Sequence, residues 1–345
     1  MKKRIAALLV AAMLTLMAVG CSAPASGVPQ TSGADSSTTT SQRADINGMK
    51  IGWSQRGMTL AWWEAMVSAG VAQAEELGAN VVVVDAQNKP EKQLADVEDL
   101  IAQGCEAIII DACDPIAIKS ALDNAINQGI PVIAVDSSIE QTTIAVKTFI
   151  TSDNYTIGYN SGYTLAKNWN SSKTPNVAVM SGGMGDVEGY QRRMGFIAGF
   201  SEYQYEQFGL CGINVVAQRY AGDWDGDRAM TQMQDILTKY PNQIDIIFSE
   251  GDAMAIGCVN AIELSGQKLP LIAGIDGQRE ALELIKEGKI TVCGVNSACL
   301  IGETAIDSLQ KILAGESLPS KIMVDSPTIT IDNVDEYYDP DRPYL

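Results

Sequence analysis

The sequence predicts an α/β protein with doubly wound parallel sheets. Two observations predict this fold class. From residue 49 onward, short runs rich in β-branched residues alternate with longer segments of helical period. The strand-like runs are apolar almost throughout, which is typical of parallel strands that are covered by helices on both faces. At about 100–200 residues per domain, a chain of 345 residues is long enough for two such domains.

The predicted strands are short and are separated by segments that are long enough for a helix. They lie at residues 50–54, 80–85, 107–111, 131–136, 148–152, 177–181, 214–218, 244–249, 271–275 and 291–296. Helices are predicted between most of them, the clearest at residues 61–77, 91–103, 225–240, 252–264 and 300–313.

Several of these strands end at a polar residue just before a turn. In an open parallel sheet, ligands bind in the crevice at the carboxyl ends of the strands. We therefore expect the functional site near the polar strand ends, which are Asp85, Asp111, Asp136, Ser181, Glu250 and Asp276.

The composition argues against most kinds of enzyme. The chain has no histidine and a formal net charge of −18. Without imidazole, Ser-His-Asp triads and His-ligated metal sites are excluded. A strongly acidic chain also repels phosphate backbones, so nucleic acid is not expected as a partner. The sequence therefore favours a binding protein, without a metal or a cofactor.

The N-terminus predicts export. Residues 1–20 combine three early basic residues with an apolar run that ends just before Cys21, which is typical of a secretion signal. The small residues ahead of Cys21 resemble a bacterial lipobox, which predicts a lipid anchor on this cysteine. An ordinary secretory signal with a chance cysteine is the alternative. Residues 21–46 are rich in Ser, Thr, Pro and Gly, and we expect a flexible tether there.

The remaining cysteines are scattered in apolar surroundings, with no C-x-x-C pair. Exported proteins often form disulfides, but free cysteine is also a common small buried hydrophobe. We expect buried free thiols rather than disulfides at Cys105, Cys113, Cys211, Cys258, Cys293 and Cys299.

The glycine-rich turn at residues 181–186 follows a strand and is the best candidate for a nucleotide site. Counted from Gly183, the third glycine of the G-x-G-x-x-G pattern would fall on Glu188. No G-x-x-x-x-G-K-[ST] sequence occurs either. A dinucleotide is therefore not expected as a ligand.

The acidic run at residues 223–227 resembles a calcium-binding loop but does not match the EF-hand pattern. Arg228 stands where the invariant glycine belongs, and Gln234 stands where the bidentate glutamate belongs. Asp225 is instead expected to cap the helix that follows. Trp224 lies between two aspartates and is hard to bury, so its indole is expected to offer a flat face to a ligand.

Trp62 and Trp63 are adjacent in the sequence, so both rings cannot face the core. Neighbouring residues on a helix point about 100° apart, so at most one of the two rings can sit well on the face that meets the core. We expect at least one of them to face a crevice or solvent.

Several segments of the sequence resemble those of a known family. The segment Asp85-Ala86-Gln87-Asn88-Lys89-Pro90 is similar to the D-x-Q-N-x-P segment of periplasmic sugar-binding proteins, the ribose- and galactose-binding group that serves ABC importers. The likeness covers about residues 49–331, and further blocks follow in the expected order: Gly129-Ile130-Pro131-Val132-Ile133 ending at Asp136, Ser152-Asp153-Asn154, Arg192 four residues before Phe196, Asp252-x-Met254-Ala255, and Gly274-Ile275-Asp276-Gly277.

This resemblance implies a periplasmic binding protein fold of type I, in which two α/β lobes are joined by a three-segment hinge and enclose the sugar. The N-terminal lobe would comprise residues 47–152 plus 297–326, and the C-terminal lobe residues 153–296 plus 327–345. The helix at residues 300–313 would then belong to the N-terminal lobe, although it follows most of the other lobe in sequence.

The resemblance also implies a set of ligand-binding residues. Aromatic rings that stack on the C–H face of a sugar would come from Trp62, Trp63 and Trp224. Side chains that hydrogen-bond to hydroxyl groups would be Asp136, Arg192, Asp276 and Asn296.

Two positions depart from the ribose-type pattern. Ser137 stands in place of an arginine and is expected to bind the ligand at that position. Gly251 stands in place of an asparagine, so Glu250 is expected to reach into the site instead. Loss of the arginine changes both the size and the hydrogen bonding of the pocket. These departures favour a hexose or another neutral polyol over ribose.

We therefore predict an extracytoplasmic solute-binding lipoprotein, anchored to the cell membrane through Cys21. It would act as a monomer, capture a neutral monosaccharide or related polyol by hinge closure, and deliver it to the transmembrane subunits of an ABC importer. The alternative is a sugar-sensing protein that presents its ligand to a chemoreceptor or sensor kinase. A glycosidase that acts through two carboxylates is a third hypothesis, but we do not expect an enzyme.

Overall fold

The computed structural model describes residues 43–140 and 142–345 of the chain. The predicted secretion signal at residues 1–20, Cys21 and most of the predicted tether lie outside the described residues. Within the described ranges the chain forms two parallel-sheet lobes, as the fold class predicts.

The first lobe has six parallel strands in the order β11-β5-β4-β3-β1-β2. Its strands are β1 (Lys50–Gln55), β2 (Asn80–Asp85), β3 (Ala107–Ile110), β4 (Val132–Val135), β5 (Thr148–Thr151) and β11 (Lys321–Met323). Its helices are α1 (Ala61–Glu76), α2 (Pro90–Ala102), α3 (Lys119–Asn127) and α9 (Ala298–Leu313).

The second lobe repeats this plan with the order β12-β10-β9-β8-β6-β7, in which only β12 is antiparallel to its neighbour. Its strands are β6 (Asn176–Ser181), β7 (Asn214–Tyr220), β8 (Ile246–Ser249), β9 (Leu271–Ile275), β10 (Val292–Gly294) and β12 (Thr328–Ile329). Its helices are α4 (Asn154–Trp169), α5 (Val187–Phe208), α6 (Gly226–Lys239), α7 (Asp252–Ser265), α8 (Arg279–Lys286) and α10 (Val334–Tyr337).

Each sheet is buried on both faces, which explains why its strands are almost wholly apolar. In β3, Ile109 packs with α1 and α9, whereas Ile108 and Ile110 pack with α2 and α3 on the other face. In β8, Ile247 packs with α6 and α7, whereas Phe248 packs with α4 and α5. Alternate residues of one strand therefore serve two different cores.

The chain passes between the two sheets three times. The first passage, at residues 152–153, links β5 to α4, and the second, at residues 295–297, links β10 to α9. The third, at residues 324–327, links β11 to β12. Helix α9 therefore packs on the first sheet, against α1.

Strands β11 and β12 are absent from the sequence prediction. They have three and two residues, which is too short for hydrophobic alternation to show. The last seven residues, which the prediction assigns to the C-terminal lobe, contact both lobes. Tyr344 packs in the core of the first lobe, whereas Leu345 packs against the core of the second.

All six cysteines of the described residues are free thiols, in line with the expectation of thiols rather than disulfides. The expectation that they are buried is wrong for Cys211, which is exposed, and only partly right for Cys113. Cys211 lies in the loop between α5 and β7, outside both sheets. None of the helices of the described residues is long and apolar enough to span a bilayer.

Candidate functional site: the cleft between the lobes

A cavity of about 510 Å³, here called the cleft, lies where the carboxyl ends of the two sheets face each other. Its size falls in the range of sites for small molecules. The cleft is lined by residues of both lobes: Arg56, Thr59, Leu60, Ala61, Trp62, Trp63, Asn88, Asp136, Gly183, Asp186, Glu188, Arg192, Asp223, Trp224, Asp225, Gly226, Ala253, Asp276, Gln278, Asn296 and Tyr344.

Two aspartates at strand ends occupy corresponding places in the two lobes. Asp136 directly follows β4, and Asp276 directly follows β9. Both have a positive φ, of 56° and 129°. Such backbone conformations are strained for residues other than glycine and are found most often at functional sites. The chain turns sharply at both positions, at the end of the strand that faces the cleft.

Arg192 anchors the second lobe's side of the cleft. Its Nε donates to Asn154 Oδ1 at 2.8 Å, and one terminal nitrogen donates to the Glu250 carbonyl at 2.7 Å and to Asp276 Oδ1 at 3.0 Å. Its guanidinium lies 5.3 Å from the centre of the Trp224 ring. These bonds fix the side chain, so it is held in place before any ligand arrives.

The position of Arg192 depends on close packing of α4 against α5. A Cβ atom added at Gly158 would overlap the Arg192 carbonyl, and one at Gly162 would overlap the carbonyl of Phe196. Only glycine lets the two helix backbones approach this closely. The glycines of α4 therefore determine the position of α5, the helix that carries Arg192.

Trp224 lies in the turn before α6, where Asp223 and Trp224 both have a positive φ. Its Nε1 donates to Asp186 Oδ2 at 3.1 Å. Gly182 lies against the ring, and a Cβ there would approach it to 2.5 Å. Asp225 caps α6 by accepting a hydrogen bond from Arg228 N at 2.8 Å, as expected from the sequence. The ring is therefore fixed on one side and lines the cleft on the other.

The two tryptophans of α1 divide as their spacing predicts. Trp62 is 8% exposed, belongs to the core of the first lobe, and donates from Nε1 to the Asn296 carbonyl at 2.9 Å. Trp63 is partly buried, and the guanidinium of Arg56 lies 5.2 Å from the centre of its ring. Both residues line the cleft.

Arg56 is a cleft residue that sequence reasoning missed. It follows β1, donates to Ser137 Oγ at 2.9 Å, and lies near the carboxylates of Asp111 and Asp136, which raise its pKa against the opposing effect of burial. The resemblance places an arginine at the position of Ser137. In this structure the guanidinium beside Ser137 belongs to Arg56, which lies at the end of a different strand. Its position two residues after the predicted strand at residues 50–54 is the feature that could have revealed it.

Three acidic groups of the cleft, Asp136, Glu188 and Asp276, have raised pKa values. Burial and the neighbouring Asp111 raise the pKa of Asp136 to about 7, although Arg56 opposes the shift. Burial, a hydrogen bond with Asp186 and the charge of Asp136 raise the pKa of Glu188 to about 8. Burial also raises the pKa of Asp276, with Arg192 acting against it. These carboxyl groups are crowded in a poorly solvated space, which disfavours further negative charge.

Seven of the nine residues predicted to bind ligand line the cleft: Trp62, Trp63, Asp136, Arg192, Trp224, Asp276 and Asn296. Ser137 does not line it and instead supports Arg56. Glu250 does not reach into the cleft either. Its carboxylate is turned inward, where it accepts from Ser181 Oγ at 2.9 Å and from Gly182 N at 3.1 Å and pairs with Arg193. These donors inside the lobe satisfy the hydrogen-bonding capacity of the Glu250 carboxylate. The sequence alone did not indicate them.

The cleft combines flat aromatic faces with both kinds of hydrogen-bonding group. Carboxylates accept from hydroxyl groups, guanidinium groups donate to ring and hydroxyl oxygens, and the amides of Asn88 and Asn296 can do either. The indole faces suit the C–H surface of a small ring. This set of groups matches a polyhydroxylated small molecule.

Comparisons with known proteins agree with this geometry. The model of the family described as "Periplasmic binding protein domain" matches residues 51–317. The ribose import binding protein RbsB of Bacillus subtilis (strain 168) is 30% identical over 93% of this chain and 97% of its own length.

Solved structures show the same likeness. A periplasmic solute-binding protein of an ABC transporter from Actinobacillus succinogenes, with bound D-allose, has a TM-score of 0.73 at 28% identity, covering 84% of this chain and all of its own. One from Bacillus halodurans, with bound myo-inositol, has a TM-score of 0.72 at 27% identity, covering 85% of this chain and 98% of its own.

Proposed function

This chain belongs to the periplasmic binding protein domain family, and we propose that it captures a neutral monosaccharide or related polyol in the cleft and delivers it to an ABC importer. The family and its sugar-binding relatives support the class of ligand. The observation that carries the proposal is that three tryptophans and the Asp136, Arg192, Asp276 and Asn296 side chains converge on one cavity from both lobes.

Placement of the site between the lobes supports capture by hinge closure. The ligand would touch Trp63 and Asp136 in the first lobe and Trp224 and Asp276 in the second. A ligand that makes contacts on both sides binds the closed form better than the open form, and this difference shifts the population toward closure. The role requires no bond to be made or broken, so the proposed protein is a carrier and not an enzyme.

The charges of the cleft support an uncharged ligand over an anionic one. The cationic groups of the lining are Arg56 and Arg192, whereas its acidic groups are Asp136, Asp186, Glu188, Asp223, Asp225 and Asp276. Arg192 is already paired with Asp276. A sugar phosphate or a sugar acid would add negative charge to a space where burial and crowding already raise carboxyl pKa values.

A thermal-shift screen tests the ligand class. We expect at least one of D-ribose, D-allose, D-galactose and myo-inositol to raise the melting temperature, because a ligand at about 100 times its Kd stabilises the folded state by about 2.7 kcal/mol. The corresponding acids and phosphates should have no effect. A shift caused only by the anionic compounds would refute the proposal.

Delivery to an importer and attachment to the membrane are the finer parts of the proposal. The sequence around Cys21 supports a lipid anchor, and export places the cleft outside the cytoplasm. Mass spectrometry of the mature protein should find an N-terminal Cys21 that carries acyl chains. A mature protein that begins after Cys21, or whose Cys21 carries no acyl chain, would contradict the anchor.

A further inference from the structure

The last seven residues, 339–345, here called the strap, run across both lobes beside the cleft. The strap follows α10 of the second lobe, yet Tyr344 is 5% exposed within the core of the first lobe. Tyr344 also lines the cleft. These contacts hold the segment in place on both lobes.

On the second lobe, the strap pairs with the turn that follows Asp276. Gln278 and Tyr344 form an antiparallel β-bridge. Arg279 N donates to the Pro343 carbonyl at 3.0 Å, and Leu345 N donates to the Gly277 carbonyl at 3.2 Å. The strap therefore holds the backbone directly after a residue whose φ is 129°. These hydrogen bonds help to keep the strained turn in a conformation that aims Asp276 at the cleft.

On the first lobe, the strap is tied to the start of α9. Cys299 N donates to the Leu345 carbonyl at 3.3 Å, and Cys299 Sγ donates to the Tyr344 carbonyl at 3.3 Å. Arg342 pairs with Glu303 at 3.0 Å, one turn further along the helix. The strap is thus a non-covalent connection between the lobes, additional to the three passages of the chain.

The phenol of Tyr344 suits a place at the edge of a sugar site. Its ring packs among apolar side chains, and its hydroxyl group can donate and accept one hydrogen bond with a ligand. Burial raises its pKa, and the charges of Asp276 and Asp252 contribute to the increase.

We propose that the strap is part of the ligand site: it joins the turn after Asp276 to the first lobe and favours the closed arrangement, and Tyr344 contacts the bound polyol. This inference rests on the proposed function for its ligand, but the link between the lobes exists without one. Nothing in the sequence pattern at residues 339–345 indicates this role, because the partners are 39 or more residues away along the chain.

The contact with ligand is tested by a matched pair of hydroxyl deletions. Tyr344→Phe should weaken binding of the tightest probe among D-ribose, D-allose and myo-inositol by about tenfold, the effect of one lost hydrogen bond at about 1.4 kcal/mol. The control is Tyr338→Phe, which loses a hydroxyl that donates to Glu283 at 2.9 Å outside the cleft. It should bind like the unaltered protein. Equal affinity for both variants would overturn the contact.

The link between the lobes is tested without ligand. Deletion of residues 342–345 should increase the radius of gyration in small-angle X-ray scattering, because the lobes separate more readily. The double variant Cys299→Ala/Arg342→Ala, which removes the two side-chain ties between the strap and α9, takes its place if the shortened chain fails to fold. An unchanged radius in a folded variant would overturn the link. If the unaltered protein binds none of the three probes, the proposed function fails, and the scattering result still decides the link.

Discussion

Arg192 and Asp276 form an ion pair of 3.0 Å whose side chains are 5% and 15% exposed. The arginine is delivered by a helix and the aspartate by the end of a strand, and both line the cleft. A buried pair of this kind contributes little net stability while intact, but removal of one partner leaves the other uncompensated. The pair is therefore suited to hold two binding groups in a fixed geometry.

Arg192→Met should destabilise the protein by roughly 3–5 kcal/mol and abolish most ligand affinity, because it leaves the Asp276 carboxylate buried without its cation. Asp276→Asn should lose affinity with a smaller loss of stability, since the amide is neutral. Urea unfolding and calorimetric titration measure the two effects. The control is Arg43→Met, which removes an exposed arginine that pairs with Asp307 away from the cleft. Equal stability of the Arg192 and Arg43 variants would contradict this description.

Trp224→Ala should lower ligand affinity by about 100-fold or more, because it removes a stacking face together with the hydrogen bond to Asp186. Trp169→Ala is the matched control. It also removes an indole, one that donates to the Lys173 carbonyl at 3.0 Å and does not line the cleft. Titration followed by intrinsic fluorescence and calorimetry should find its affinity unchanged. A similar loss of affinity in both variants would show that the effect is general and not local.

Gly158→Ala should destabilise the protein by about 1–3 kcal/mol and also weaken ligand binding. The added methyl group would push α5 away from α4 and move Arg192, whose carbonyl it would meet. Gly183→Ala is the control for stability, because its Cβ would make only ordinary contacts, at 3.5 Å or more. Thermal unfolding of the two variants distinguishes the cases. Equal melting temperatures would refute the packing argument.

Stability should fall as pH rises from about 4 to about 7. Burial, with a contribution from Asp276, raises the pKa of Asp252 from 3.8 to about 7. The native state then holds a proton that the unfolded chain has already released in this window, so the stabilising effect of that proton is lost as pH passes through about 7. Asp252→Asn cannot titrate and should have a smaller difference in melting temperature between pH 5 and pH 8. A variant with the same pH dependence as the unaltered protein would contradict the assignment to Asp252.

The hydrophobic pattern predicted the α/β class and the edge of the sheets at which the cleft lies, whereas the two-lobe hinge and the roles of Arg192 and Asn296 followed from the resemblance to the sugar-binding family. Asp136 and Asp276 were identifiable because they end predicted strands, and the carboxyl ends of parallel strands form the ligand crevice. Trp224 stood out because an indole between two aspartates is hard to bury. Each of these arguments uses only residues that are close together in the sequence.

The misplaced and missed residues depend on contacts between distant parts of the chain. Glu250 was expected in the cleft, but Ser181, Gly182 and Arg193 satisfy its carboxylate inside the lobe. Arg56 was missed because it supplies a guanidinium near Ser137, 81 residues further along the chain. Tyr344 reaches the cleft only because the strap pairs with both lobes.

Isothermal titration calorimetry of the purified protein with monosaccharides and polyols tests the central claim most directly. The account predicts one binding site and a Kd on the order of 1 μM, about −8 kcal/mol, for at least one uncharged member of the set. Trp224→Ala and Asp276→Asn should remove that heat while the protein stays folded. Absence of binding across D-ribose, D-allose, D-galactose, D-xylose, L-arabinose and myo-inositol would contradict the claim.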